Sequence, residues 1–257
     1  MEVHTHTHTA LDPDSHRGRK KWTHYFWDFF MLFLAVFCGF LAEYKLEHMI
    51  EKNRERQYIG SLLKDLENDT LQFGRTITRL NRKVPYYDSV LHFFKNPSLY
   101  KYNLPYRFYI ETTIERFYTP ANPTLEQLKG SGNLRLIHKQ DIIDSIVYYD
   151  GRINGSYKSQ TGYVIEANKR LLQATETVFD LDNFNRFMSD QYAGSSVNNN
   201  SDYDVKLISD DKKALQNIYN IHVTTRATDI FYIQHITGAK KIASNLILFL
   251  KKEYHLK

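Results

Sequence analysis

The chain has 257 residues, with 34 Lys and Arg against 29 Asp and Glu, a net charge of +5 and a pI near 9.0. A hydrophobic fraction of 42% and a charged fraction of 25% belong to a folded chain and exclude a disordered one, while a mean hydropathy of −0.51 excludes a polytopic membrane protein. The lone cysteine, Cys38, excludes a disulfide framework and a cysteine-based zinc site, and the low counts of Gly (11) and Pro (6) favour helices over a turn-rich β fold.

Residues 1–21 are polar and without periodicity, the pattern of a disordered tail. His4, His6 and His8 alternate with Thr. In an extended chain that spacing sets three imidazoles on one side, a weak site for a transition metal. The competing reading is a solvated tail, since nothing nearby supplies the supporting hydrogen bonds of a tuned metal site.

Residues 22–44, WTHYFWDFFMLFLAVFCGFLAEY, break the average. No charged side chain lies between Phe29 and Ala42. A membrane-spanning helix needs roughly 20 mostly apolar residues. The flanks complete the run: Trp22, Tyr25 and Trp27 at one end and Tyr44 at the other suit the membrane interface. A buried core helix is the alternative, and the aromatic flanks favour the membrane. Arg17, Arg19, Lys20 and Lys21 precede the run, whereas mixed charges follow it. Counted near the span, the basic residues place the N-terminus in the cytoplasm and the long remainder across the inner membrane. Cleavage after Ala42 or Gly39 would put Phe40 or Phe37 at the −3 position, too large for a signal peptidase, so the segment is expected to remain as an anchor. Ala35, Gly39 and Ala42 stand one turn apart, the spacing of a helix self-association face.

Beyond the anchor, Ile59, Leu62, Leu63, Leu66, Thr70, Phe73, Ile77, Leu80, Val84, Tyr87 and Leu91 step by three or four. This predicts one helix from the membrane to about Val84, a rod of roughly 60 Å if straight, ended or kinked at Pro85. Residues 85–123 read as an aromatic-rich connector, either a platform for sugars or peptides or a cap of buried rings. Thr124 has the spacing of a helix N-cap with Gln127. The Gly130-Ser-Gly-Asn133 stretch reads as a turn rather than a phosphate loop. A second long helix is predicted from Lys139, with Ile142, Ile146, Ile153, Val164, Leu171 and Val178 buried. Gly151, Gly155, Ser159 and Gly162 make a small-residue ridge on it, expected to pack against a neighbour. Residues 190–208 read as a flexible loop, and the last helix runs from Ser209 to about Glu253.

That last helix carries three polar residues, His222, Thr225 and Asp229, in an otherwise apolar seam. Buried polar groups need partners, and Asp69 and Gln160 lie midway along the other two helices. Such a layer fits a small ligand, or a device that sets helix register, or a seam turned to water. Catalytic residues are not expected: there is no nucleophile elbow, Walker loop or HExxH pair. No cofactor is expected either. Residues 45–257 carry 30 basic against 24 acidic residues, mixed along helices, which is a solvated surface and not a nucleic-acid footprint.

Two stretches carry a family resemblance. FLAEYKLEHMIEKNRERQYIGSLLKDLENDT and FYTPANPTLEQLKGSGNLRLIHKQDIIDSIVYYD resemble, in order and spacing, an uncharacterised family common in Bacteroidota and catalogued as a domain of unknown function. The resemblance covers most of residues 25–180. It implies one N-terminal span and a helical outer domain, and it transfers no catalytic residue. The expected fold is therefore all-α: a transmembrane helix continuing into an elongated antiparallel helical bundle. The expected partners are the lipid bilayer and a second copy or another envelope protein.

Overall fold

The computed structural model describes residues 22–97, 104–114, 117–120, 122–192 and 207–256. Every regular element among them is helical: α1 (Trp22–Lys95), α2 (Leu104–Thr113), α3 (Pro123–Gly130), a 3-10 turn (Asn133–Leu136), α4 (Gln140–Gly151), a π segment (Arg152–Tyr157), α5 (Lys158–Thr175), α6 (Leu181–Tyr192) and α7 (Lys212–Tyr254). The chain divides into two compact units, residues 1–53 and residues 54–257.

In the first unit, α1 holds one window long and apolar enough to cross a membrane, with a mean hydropathy of 1.9 and none of its side chains buried. Large apolar side chains point outward all round it, Phe29 and Leu32 being two-thirds exposed. Rings one turn apart stack along it, as in Phe29–Phe33 and Phe33–Phe37. Asp28, immediately before the apolar run, takes a 2.9 Å hydrogen bond with His24 one turn earlier. Ala35, Gly39, Ala42 and Cys38 are all exposed on this helix.

In the second unit, α1 continues through Pro85 to Lys95. Proline removes one backbone donor and crowds the preceding turn. Here Ser89 donates to the Pro85 carbonyl at 3.0 Å and the helix does not end. The aromatic stretch 85–123 therefore begins inside α1, and three of its rings, Tyr87, Tyr106 and Tyr109, are buried, while Phe117 is exposed. Contacts pair α1 and α7 in opposite chain directions: Glu55 with Tyr254, Glu67 with Lys251, Lys83 with Asp229 and Asp88 with Arg226. The seam of α7 is buried as its spacing predicts, from Ile218 through His222, Thr225, Asp229 and Tyr232 to Leu250.

The buried line of α1 differs from the expected one. Asp69, Thr76, Lys83 and Val90 face inward in place of Thr70, Ile77, Val84 and Leu91. The 3-4 spacing is kept, but at each of those turns the inward residue is the neighbour one position earlier. Two apolar clusters result. One gathers Ile59 to Leu80 with Tyr149, Tyr157, Tyr232 and the end of α7. The other gathers Tyr87 and Val90 with α2, Leu171, Phe179 and Ile218.

Other local details depart from expectation. The first turn of α3 is capped from α1: Asp65 accepts from the Thr124 amide at 3.1 Å, while the residue before the helix, Asn122, is left-handed (φ 39°) and gives no side-chain cap. The small ridge of α4 and α5 packs against no neighbour among the described residues, for a Cβ on Gly151, Gly155 or Gly162 would meet nothing within 4 Å. The π segment has a sequence cause. Tyr149, Ile153, Tyr157 and Thr161 are buried at steps of four for three turns, a spacing wider than 3.6 that the π turn absorbs. Residues 190–192 end α6, and Ile208 donates to the Val178 carbonyl at 3.0 Å, so both ends of the expected loop are ordered.

Candidate functional site

Of the polar residues singled out on α7, Asp229 and His222 are held in place by α1 and α2. Asp229, 1% exposed, receives the Tyr87 hydroxyl at 2.9 Å and the Lys83 ammonium at 3.1 Å on the same oxygen, Oδ2. Lys83 is itself 5% exposed and lies 5.4 Å above the Tyr87 ring. Tyr87 also lies within 3.2 Å of the Thr112 carbonyl on α2. An ion pair this deep survives only through such hydrogen bonds, because desolvation offsets its Coulomb attraction. Along α1 the pair falls between Leu80 and Tyr87, at the junction of the two apolar clusters.

One turn further along the α7 seam lies Thr225, whose hydroxyl bonds back to the Ile221 carbonyl. Next, His222 is fully buried among the rings of Tyr87, Phe94 and Tyr109, at 6.3, 5.8 and 5.4 Å. Its Nδ1 lies 2.9 Å from the Ile218 carbonyl. A carbonyl only accepts, so Nδ1 carries the proton and Nε2 keeps a lone pair. That Nε2 has no hydrogen-bond partner among the described residues, and neither does Asp229 Oδ1. Burial lowers the His222 pKa to about 4.

Asp69 belongs to a different layer. It accepts from Tyr118 and Tyr149, both at 2.6 Å, one on each oxygen. Burial raises its pKa above the ordinary carboxylate value, and the two tyrosine hydrogen bonds act against that rise. The Tyr157 hydroxyl meets the Tyr118 carbonyl and lies 2.9 Å from the Tyr232 hydroxyl, while Phe73 packs edge-on against both Tyr118 and Tyr157. Tyr118 and Tyr149 therefore close over one carboxylate, with Tyr157 and Tyr232 behind them.

Gln160 is brought together with neither Asp69 nor Asp229. It is half-buried and lines a groove of about 430 Å³ between α5 and α7, with Tyr163, Glu166, Arg170, Thr225 and Thr228. At that groove Ser156 Oγ lies 3.1 Å from His235 Nδ1. No carboxylate among the described residues pairs with His235, so this Ser–His contact lacks the third group that orients a nucleophile's base. His4, His6 and His8 lie outside the described residues. Three partners went unseen in the sequence: Lys83, Tyr118 and Tyr149. Lys83 had a signal, since Leu80, Lys83, Tyr87 and Val90 keep strict 3-4 spacing; Tyr118, set in a connector, had none.

No family model, curated protein or solved structure matches the chain.

Proposed function

We propose that this chain is a single-pass inner-membrane protein. Residues 22–44 cross the bilayer, the N-terminus is cytoplasmic, and residues 45–257 form a periplasmic antiparallel helical bundle that serves the envelope as a non-enzymatic scaffold or sensor-like module. The observation that carries this reading is the apolar window of α1, hydropathy 1.9, with no buried side chain. A helix apolar on every face needs apolar surroundings. Leaving one large side chain such as Phe29 in water forfeits about 1.5–3 kcal/mol. The non-enzymatic part is supported by the polar layers, whose carboxylates are engaged by tyrosine and lysine from neighbouring helices.

Protease treatment of intact spheroplasts tests the topology. The expected result is digestion of residues 45–257 with the N-terminal tail protected, and survival of the long domain overturns the proposal. The exposed Ala35, Gly39 and Ala42 leave a face for a second copy. Gly39→Ile is expected to abolish self-crosslinking, and unchanged crosslinking rejects that face.

A second reading, a small-ligand binder or enzyme, draws on the groove beside Gln160 and Thr225, whose volume suits a small molecule. Crosslinking with mass spectrometry in native membranes separates the two readings. A recurrent protein partner supports the scaffold. No partner, together with a small molecule that raises the melting temperature of wild type but not of Gln160→Ala, supports the binder.

A further inference from the structure

Four cations meet without an acid among the described residues. Arg75, Arg79 and Arg82 follow one another at i, i+4 and i+7 on α1, all exposed. With Lys240 of α7 they line an open groove of about 480 Å³ together with Thr70, Leu71, Gly74 and Thr78. No carboxylate among the described residues pairs with any of the four. Like charges one turn apart oppose each other by a few tenths of a kcal/mol per pair. Elsewhere α1 and α7 pair their charges across the same boundary, as in Asp88–Arg226 and Glu67–Lys251. Where these four cations converge, no such acid faces them among the described residues.

The groove is also shaped. Lys240 is half-buried, and its ammonium lies 3.1 Å from where a Cβ on Gly74 would stand. The absent side chain therefore lets the Lys240 amine lie against α1 beside Arg75 and Thr78. Arg79 and Arg82 also wall a second pocket of about 300 Å³, which Lys83 and Tyr86 help to line and where Glu111 is the one acid among the described residues. Guanidinium forks match the oxygens of tetrahedral anions in pairs. Arg75 and Arg82 stand roughly 10 Å apart along the helix, a span for two linked anionic groups rather than one.

We propose that the groove formed by Arg75, Arg79, Arg82 and Lys240 binds a ligand carrying at least two phosphate groups. The phosphates could be those of a soluble compound or those of an anionic lipid headgroup, and the experiment distinguishes the sources. The proposal is independent of the topology above.

The test is calorimetric titration of the full chain in an uncharged detergent with tripolyphosphate. One arm is repeated in micelles doped with an anionic phospholipid and one in micelles doped with a zwitterionic phospholipid. The expected result is saturable binding, weakened at least about tenfold in Arg79→Gln/Arg82→Gln, as the loss of charge-assisted hydrogen bonds requires. Competition by the anionic lipid alone assigns the site to a headgroup, and indifference to both lipids assigns it to a soluble phosphate compound. Gly74→Ala is expected to displace Lys240 and weaken binding while leaving the melting temperature equal or higher, because alanine favours the helix. Lys212→Gln/Lys213→Gln removes the same charge from an exposed site at the start of α7 and is expected to bind as wild type. Absence of saturable binding in every arm overturns the proposal, and so does equal weakening by the two double variants.

Discussion

Lys83 and Asp229 are the residues on which the second unit is most sensitive. Each is nearly inaccessible to water and each is the other's counter-charge. Removing one partner takes from the other a counter-charge 3.1 Å away in an apolar junction. Asp229→Leu or Lys83→Met alone is therefore expected to cost about 3–5 kcal/mol. The double variant Lys83→Met/Asp229→Leu is expected to recover most of that, because an apolar pair needs no desolvation and Tyr87 keeps the Thr112 carbonyl within reach. Chemical denaturation of the four proteins checks this, and additive losses would refute it.

Asp69 and His222 respond to acid in opposite senses. His222 has a folded pKa near 4, below its ordinary value of about 6.5, so the unfolded chain binds more protons between the two. Its stability is present above about pH 6.5 and is lost as pH falls, by up to about 3 kcal/mol at pH 4. Asp69 has a raised folded pKa, so the folded chain binds more protons above about pH 4. Its contribution is present in acid and is lost as pH rises through the raised value. On acidification wild type should therefore weaken relative to His222→Phe and strengthen relative to Asp69→Asn. Melting temperatures from pH 7 to pH 4 check both signs, and a pH-independent difference for either variant contradicts its assignment.

At the scale of elements, the α4–α5 helix bears residues that its own packing does not use. Gly162 is exposed and a methyl group there meets open space. Glycine inside a helix costs about 1 kcal/mol relative to alanine. Gly162→Ala is expected to stabilise the folded chain by about that amount, read from the shift in denaturation midpoint.

The helices themselves were legible from spacing. The ten buried positions of α7 from Ile218 to Leu250 are those its periodicity marks, with the polar trio inside. Along α1 the inward residue lies one position before the expected one at four turns, and at two of them, Thr76 before Ile77 and Lys83 before Val84, a polar residue is buried beside an apolar neighbour. At those two turns apolarity misleads because the core itself is polar. The candidate site suffered for the same reason. Asp229, His222 and Thr225 were visible as interruptions of a stripe, but their partners come from helices far apart in sequence: Lys83 is 146 positions from Asp229, and Tyr149 is 80 from Asp69. Nothing local announces such pairs. Gln160, grouped with Asp69 and Asp229 by its mid-helix position, lies instead on the wall of a groove.

At the scale of the whole molecule, the two units differ in where their apolar side chains lie. Residues 22–53 bury almost nothing in protein, whereas residues 54–257 hold both apolar clusters and every polar layer described. A chain beginning at Arg54 is therefore expected to stay soluble without detergent and to unfold in one cooperative step. Far-ultraviolet circular dichroism during heating checks it, and a gradual, sloping melt refutes it. The acid-free groove on α1 and α7 lies wholly within those residues, so tripolyphosphate should raise the midpoint of the shorter chain as well.

Both tryptophans of the protein, Trp22 and Trp27, sit on the outward surface of the first unit, 86% and 60% exposed. The second unit holds tyrosines and no tryptophan. Indole emission excited at the red edge therefore reports only the environment of the apolar helix and is blind to the melting of the helical domain. Tyrosine emission from rings such as Tyr118 and Tyr149, hydrogen-bonded to Asp69, follows the other event. The chain thus carries two native optical reporters, one for each unit, and needs no added label to follow either.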